Sequence, residues 1–231
     1  MDSAATVRRP GKSLAGMYKT SFRLTMSARG IRRAAMHPGE PVHLLGLSGS
    51  LRRKSNCTAM LRTLQEQLAP KIDLKIFDLR TIPPYDQDED GERAPEAVRA
   101  LKAAIAESDG VVLISPEYNY GMSGVLKNAL DWASRPGYNS VLKHKPVAIM
   151  TASPSFVGGA RAQGQLRQTL AATLSRVAVG PEVVIANAGE KIRDGRLVDE
   201  ASLRFAINLV EALLHEVQAA RMDLSTACGS G

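Results

Sequence analysis

From Pro41 onward, short and uniformly apolar runs alternate with stretches of helical period. Val42-His43-Leu44-Leu45-Gly46-Leu47 is the first apolar run, and Ser55 or Asn56 caps a helix carrying Met60, Leu61, Leu64 and Leu68 on one face. Leu74-Lys75-Ile76-Phe77 reads as a second strand. After a polar, turn-rich stretch at 82–91, Pro95 opens a helix at a first-turn position, with Val98, Leu101 and Ile105 inward. Val111-Val112-Leu113-Ile114 is a third strand, followed by a helix over 125–132. Val147-Ala148-Ile149-Met150 is a fourth, followed by a helix with Leu166, Leu170 and Leu174. Val183-Val184-Ile185 is a fifth, and residues 199–219 form a long amphipathic helix. Strands this apolar are covered on both faces, and strand–helix alternation implies a parallel sheet.

Five strands interleaved with helices predict an α/β, flavodoxin-like, three-layer, doubly wound five-stranded parallel sheet over residues 41–220. Residues 221–231 read as a flexible tail. Residues 1–40 carry eight Lys or Arg against two Asp or Glu, while the rest is nearly balanced at 22 against 21. The net charge of +7 therefore belongs to the first segment and does not describe a nucleic-acid-binding surface. That segment reads as a basic, disordered or non-native extension. A transit peptide has a similar composition, and an extension upstream of a start at Met36 is a third reading. The longest apolar runs are too short to span a bilayer. Cys57 and Cys228 are the only cysteines, which suggests neither a disulfide framework nor a zinc site and points to the reducing cytoplasm.

Two loops carry the chemistry. Ser48-Gly49-Ser50-Leu51-Arg52-Arg53-Lys54-Ser55-Asn56 follows the first strand and enters a helix. A helix start supplies unpaired N–H groups and a positive dipole end, the serines and Asn56 add donors, Gly49 permits close backbone approach, and Arg52 adds charge, as a phosphate requires. A Ser-rich turn with a helix cap is the alternative. The loop has neither the GxxxxGK[ST] nor the GxGxxG spacing, and Asp78 reads as a surface charge. Pro116-Glu117-Tyr118-Asn119-Tyr120-Gly121 follows the third strand. It offers aromatic faces and amides to a flat ring with one apolar and one hydrogen-bonding edge. Half-buried anchoring tyrosines are the alternative. Together the loops suggest a bound flavin mononucleotide.

Gly49-Ser50-Leu51-Arg52 with Ser55, and Pro116-Glu117-Tyr118-Asn119-Tyr120 with Gly124, Lys127, Asn128, Asp131 and Trp132, resemble the NADPH-dependent FMN reductases, a family with quinone, chromate and azo-dye reductases. Ser153 with Gly158-Gly159-Ala160-Arg161 is similar to that family's third loop. The resemblance implies that Ser50, Arg52 and Ser55 hold the FMN phosphate, with Ser48, Asn56 and Cys57 beside them. It implies that Pro116, Glu117, Tyr118, Asn119 and Tyr120 line the ring and ribityl side, and that Ser153 is a further contact. Many members place an asparagine where Cys57 stands; here Asn56 comes one position earlier.

The implied activity is hydride transfer from NADPH or NADH to flavin N5 and on to a quinone or similar small-molecule acceptor, both substrates using one cleft in turn. The flavin carries the chemistry, so no catalytic acid or base is expected. His43, His144 and His215 read as surface or core residues. Cys57, at a helix start, is placed for a lowered thiol pKa but reads as a packing residue. A homodimer or homotetramer is implied, with no nucleic-acid, membrane or metal partner. A flavodoxin-type electron carrier and a flavin-less regulatory module are the competing classes.

Overall fold

The computed structural model describes residues 41–228, with side chains through residue 222. The expected basic extension at 1–40 and residues 229–231 lie outside the described residues. The chain runs β1 (Val42–Ser48), α1 (Asn56–Leu68), β2 (Ile72–Phe77), α2 (Glu96–Glu107), β3 (Gly110–Ser115), a hairpin of β4 (Glu117–Tyr118) and β5 (Gly121–Met122), and α3 (Gly124–Ala133). It continues through β6 (Pro146–Ala152), α4 (Ala160–Ala172), β7 (Arg176–Val177), β8 (Val183–Ile185), the short α5 (Ala188–Lys191), β9 (Ile192–Arg193), β10 (Arg196–Leu197) and α6 (Glu200–Cys228).

β1 lies between β2 and β3, β3 pairs with β6, and every pairing in this central sheet is parallel. The pleat sends alternate residues to opposite faces. Val112 and Ile114 of β3 join Leu61 and Leu64 of α1 and Val210 and Leu213 of α6 in one buried cluster. Val111 and Leu113 join Leu101 and Ile105 of α2, Leu126 and Leu130 of α3, and Leu166 and Leu170 of α4 in the other. This is the flavodoxin-like, three-layer arrangement that the apolar strands require. Strand order reverses between β1 and β3, and the loops after those strands open at that point, where doubly wound sheets bind ligands.

Three details differ from the sequence reading. The fifth strand position is divided: β7 pairs with the start of β6 and β8 with its end. Gly180-Pro181 lies between them, and proline has no N–H to donate to a ladder. Leu174 does not continue the apolar face of α4; it follows the helix in a left-handed conformation at φ 59° and is partly exposed. The last helix passes the expected boundary near 220 and reaches Cys228, so 221–228 are helical rather than a tail.

Candidate functional site

The first loop is organised by its own hydroxyls. Ser55 caps α1, its Oγ accepting the Thr58 N–H at 3.1 Å. The Ser48 hydroxyl accepts from Thr58 Oγ1 at 2.9 Å and donates to the Ser50 carbonyl at 3.2 Å. Ser48 is thus buried and borders a cavity on the β2 side of the loop. Arg52 is exposed and donates to the Lys54 carbonyl of its own loop at 3.2 Å. The first turn of α1 contains no acidic residue, so its N–H groups and Arg52 present an uncompensated positive field. Gly49 also has a packing role beyond the close phosphate approach that the sequence suggests. Its N–H donates to the Ile114 carbonyl at 2.8 Å, and a Cβ there would sit 2.7 Å from Ser123 Oγ and 3.0 Å from Pro116 Cδ. The glycine lets the first and second loops touch.

The second loop is a tight hairpin. Asn119 and Tyr120 occupy its turn at φ 49° and 67°, both left-handed as a two-residue type I′ connection requires. Neither Asn119 nor Tyr120 lines the hollow at the loop base. Tyr120 is 71% exposed, with the Arg161 guanidinium carbon 4.4 Å from its ring centre. Glu117 reaches into the third loop. One carboxylate oxygen accepts the Arg161 N–H at 2.9 Å and the Ala162 N–H at 3.4 Å, and the other lies 3.5 Å from the Arg161 guanidinium. Gly159 provides no side-chain cap for α4, so Glu117 caps that helix across the cleft. Gln165 of α4 makes a second tie, its Oε1 accepting the Met122 N–H at 2.6 Å.

The third loop runs from Ser153, whose hydroxyl donates to Ser155 Oγ at 3.1 Å. Gly158 and Gly159 turn it at φ 65° and 97°. A Cβ at Gly158 would lie 2.6 Å from Val184 Cγ1 and 2.7 Å from the Ala186 nitrogen, and one at Gly159 2.8 Å from Thr151 Cβ.

Between the loops lies a hollow of about 220 Å³, lined by Ser50, Arg52, Asn56, Cys57, Pro116, Glu117, Tyr118 and Ser153, with Ala152 and Pro154. An open cleft of about 520 Å³ adjoins it over Gly49–Arg52, Tyr118 and Ser123–Val125. A Cβ built on Gly124 in that cleft would meet nothing within 4 Å. The structure therefore gathers eight of the twelve expected residues around one hollow. Ser48 and Ser55 support the loop from behind, and Asn119 and Tyr120 form the hairpin tip. Cys57 borders the hollow, but burial pushes its thiol up to about 12, overriding its backbone N–H hydrogen bond and the charge of Arg52. The lowered pKa expected at a helix start is not found: the side chain is 1% exposed and packs into the core.

The remaining residues of the second motif hold a neighbouring loop. Asn128 Nδ2 and Trp132 Nε1 both donate to the Pro83 carbonyl, at 2.8 and 2.9 Å, and Asn128 Oδ1 accepts the Tyr85 N–H at 2.8 Å. Tyr85 packs edge-on against Trp132 with ring centres 4.9 Å apart. Lys127 and Asp131 form an ion pair on the helix surface. His43 pairs with Asp73 at 2.9 Å, near the strand ends opposite the cleft. Asp78 pairs with Arg80 at 3.1 Å.

This donor set fits FMN. One end offers a helix start and an arginine to a phosphate, and the other offers a rigid hairpin base, Tyr118 and open space over Gly124 to a flat ring. The absence of an acidic side chain from the α1 start suits a dianion there. Among the described residues, no helix is long and apolar enough to cross a membrane.

Residues 42–190 match the family model described as NADPH-dependent FMN reductase. The chain is 38% identical over 175 residues to an NAD(P)H-dependent FMN reductase of Pseudomonas aeruginosa, covering 75% of this chain and 94% of that protein. It is 37% identical over 168 residues to a quinone reductase of Escherichia coli, covering 71% and 89% respectively. Among solved structures, the flavoenzyme NAD(P)H:(acceptor) oxidoreductase of Paracoccus denitrificans superposes with a TM-score of 0.67 at 32% identity, covering 78% of this chain and 98% of that one.

Proposed function

Because the chain belongs to the NADPH-dependent FMN reductase family, and is an oxidoreductase of that family, we propose that it binds one FMN across its three loops and reduces quinones or similar small acceptors with NAD(P)H. The observation that carries this reading is the hollow shared by the α1 start, the base of the β4–β5 hairpin and the Ser153 loop.

Arg52, the Ser50 backbone and the first N–H groups of α1 would hold the phosphate, with Asn56 beside them. Pro116, Glu117 and Tyr118 would lie along the ring and ribityl chain, and Ser153 and Pro154 would close the third side. When bound, FMN supplies the redox chemistry between the nicotinamide donor and the acceptor. The protein's part is orientation. The Glu117 cap and the Gln165 tie fix two walls relative to each other, and Gly49 lets the remaining wall touch them. Tyr118, 55% exposed, would cover apolar ring surface while leaving a face open to substrates. Asp, Glu or His proton donors have no assigned role. A homodimer or homotetramer would give the exposed Tyr138 and Phe156 a surface to cover.

The test is direct. Purified protein is expected to be yellow, to release FMN on denaturation, and to oxidise NAD(P)H when a quinone is present. A colourless protein that gains no bound absorbance on adding FMN would overturn the reading.

A further inference from the structure

A second cavity, of about 280 Å³, lies on the β2 side of the first loop, beyond the wall of the flavin hollow. Its lining contains four arginines, Arg52, Arg53, Arg62 and Arg80, and one carboxylate, Asp78. Asp78 is ion-paired with Arg80 at 3.1 Å, and Arg80 also donates to the Leu51 carbonyl at 2.7 Å, which pins the loop. Arg52 serves the flavin side. Arg53 and Arg62 remain: both are exposed, and among the described residues neither side chain has a hydrogen-bond or ion-pair partner. Arg62 stands one turn after Thr58 on the same face of α1, and a helical side chain leans toward the N-terminus, which carries its guanidinium toward the loop. Guanidinium groups converging on one concavity repel one another unless an anion joins them, and a phosphate monoester accepts paired N–H donors from more than one arginine.

The size narrows the ligand. Whole-ligand pockets usually occupy roughly 300–1,000 Å³, so this cavity suits a phosphate on a sugar rather than a complete dinucleotide. It shares Ser50 and Arg52 with the flavin hollow and Ser50, Leu51 and Arg52 with the adjoining cleft. A molecule lying over the flavin site can therefore extend one end around the loop into it. We propose that this cavity takes the 2′-phosphate of the dinucleotide donor, with Arg53 and Arg62 as the residues that favour NADPH over NADH. The proposal rests on the reductase reading above.

The experiment uses flavin-loaded, full-length protein and the variants Arg62→Ala and Arg53→Ala. Each is expected to raise the KM for NADPH about tenfold, the loss of one charge-assisted contact, with kcat, the KM for NADH and flavin absorbance unchanged. By calorimetry, the parent is expected to bind adenosine 2′,5′-bisphosphate at least about tenfold more tightly than adenosine 5′-monophosphate, a preference that both variants lose. Equal effects on NADPH and NADH would overturn the proposal, as would flavin loss in step with the substitutions, which would assign the cavity to the FMN phosphate. Equal competition by inorganic phosphate and both adenosine nucleotides would also overturn it, leaving a nonspecific anion site. A parent inert toward both dinucleotides would instead sink the reductase reading, and the bisphosphate titration would still decide the site.

Discussion

The first loop and the paired second and third loops are held in different ways. The first is built mostly from contacts a few residues apart, Ser55 to Thr58, Ser48 to Ser50 and Arg52 to Lys54, with Gly49 to Ile114 and Arg80 to Leu51 as its long-range ties. The other two are held by contacts more than forty positions apart: Glu117 to Arg161 and Ala162, and Gln165 to Met122. Local construction leaves the guanidinium groups of Arg52 and Arg53 at the surface, where a ligand can reach them. Long-range construction commits the polar groups of the other loops to each other and fixes the walls of the cleft. Substitutions in the first loop should therefore alter ligand binding with little cost in stability. Substitutions in the second and third should cost stability first.

The largest effect is expected from Gly158→Val. The new side chain would meet Val184 and the Ala186 backbone within 3 Å at a left-handed φ of 65°, and clashes combined with left-handed strain cost about 2–4 kcal/mol. Thermal unfolding should fall by roughly 5–15 °C for a domain of this size. A melting temperature equal to the parent's would show that the third loop yields, and the contrast with the first would collapse.

Glu117→Ala should come next. It removes the acceptor at the α4 start, and loss of a helix cap costs about 0.5–2 kcal/mol. Glu117→Gln keeps an acceptor and should recover part of that loss in urea unfolding. If both variants unfold with the parent, the cross-cleft cap carries no stability, and Glu117 would have to be valued through the ligand alone.

Arg52→Ala sharpens the comparison from the other side. Its guanidinium is exposed and bonded within its own loop, so stability should stay near the parent's, as at most surface positions. FMN should nevertheless dissociate about tenfold or more readily, as expected when one charge-assisted phosphate contact is lost. His144→Ala, outside the cleft, is the control. Comparable FMN retention in the two would remove Arg52 from the site.

The same division explains what could be read from the chain. β1, β3 and β6 are legible because every residue type in Val111–Ile114 or Val147–Met150 is apolar, and burial on both faces admits little else. The α1 start is legible because a cap and its helix are adjacent in sequence. Nothing local announces that Glu117 caps α4 or that Gln165 holds Met122, because the partners become neighbours only when β3 and β6 pair. The packing demand on Gly49 is hidden for the same reason: the atoms it must clear belong to Pro116 and Ser123. Asn128 and Trp132 look like site residues in sequence, yet their polar groups are bonded to the backbone of Pro83 and Tyr85. The break between β7 and β8 is visible in Gly180-Pro181 once β6 is known to pair with both.

The smallest effect at neutral pH should come from Cys57, where the two modes of construction meet. A cysteine in the first turn of a helix, with Arg52 nearby, has the electrostatics of a reactive thiolate. Its side chain instead points into the core beside Met60 and Leu61, and burial raises the thiol to about 12. In a Cys228→Ser background, the folded protein should therefore react with a thiol reagent at pH 8 far more slowly than the urea-unfolded chain does. The pH dependence has a definite sign. The unfolded thiol loses its proton near its ordinary value of 9.0 while the folded one holds it to about 12. The unfolded state thus binds fewer protons across that interval, and this group's contribution to stability is full below about pH 9 and declines as pH rises toward 12. Cys57→Ala should flatten that alkaline decline while changing stability at pH 7 only by the lost packing. Rapid labelling of the folded protein at pH 8 would place the thiol in the cleft, and the first loop would then have a reactive group on its ligand side.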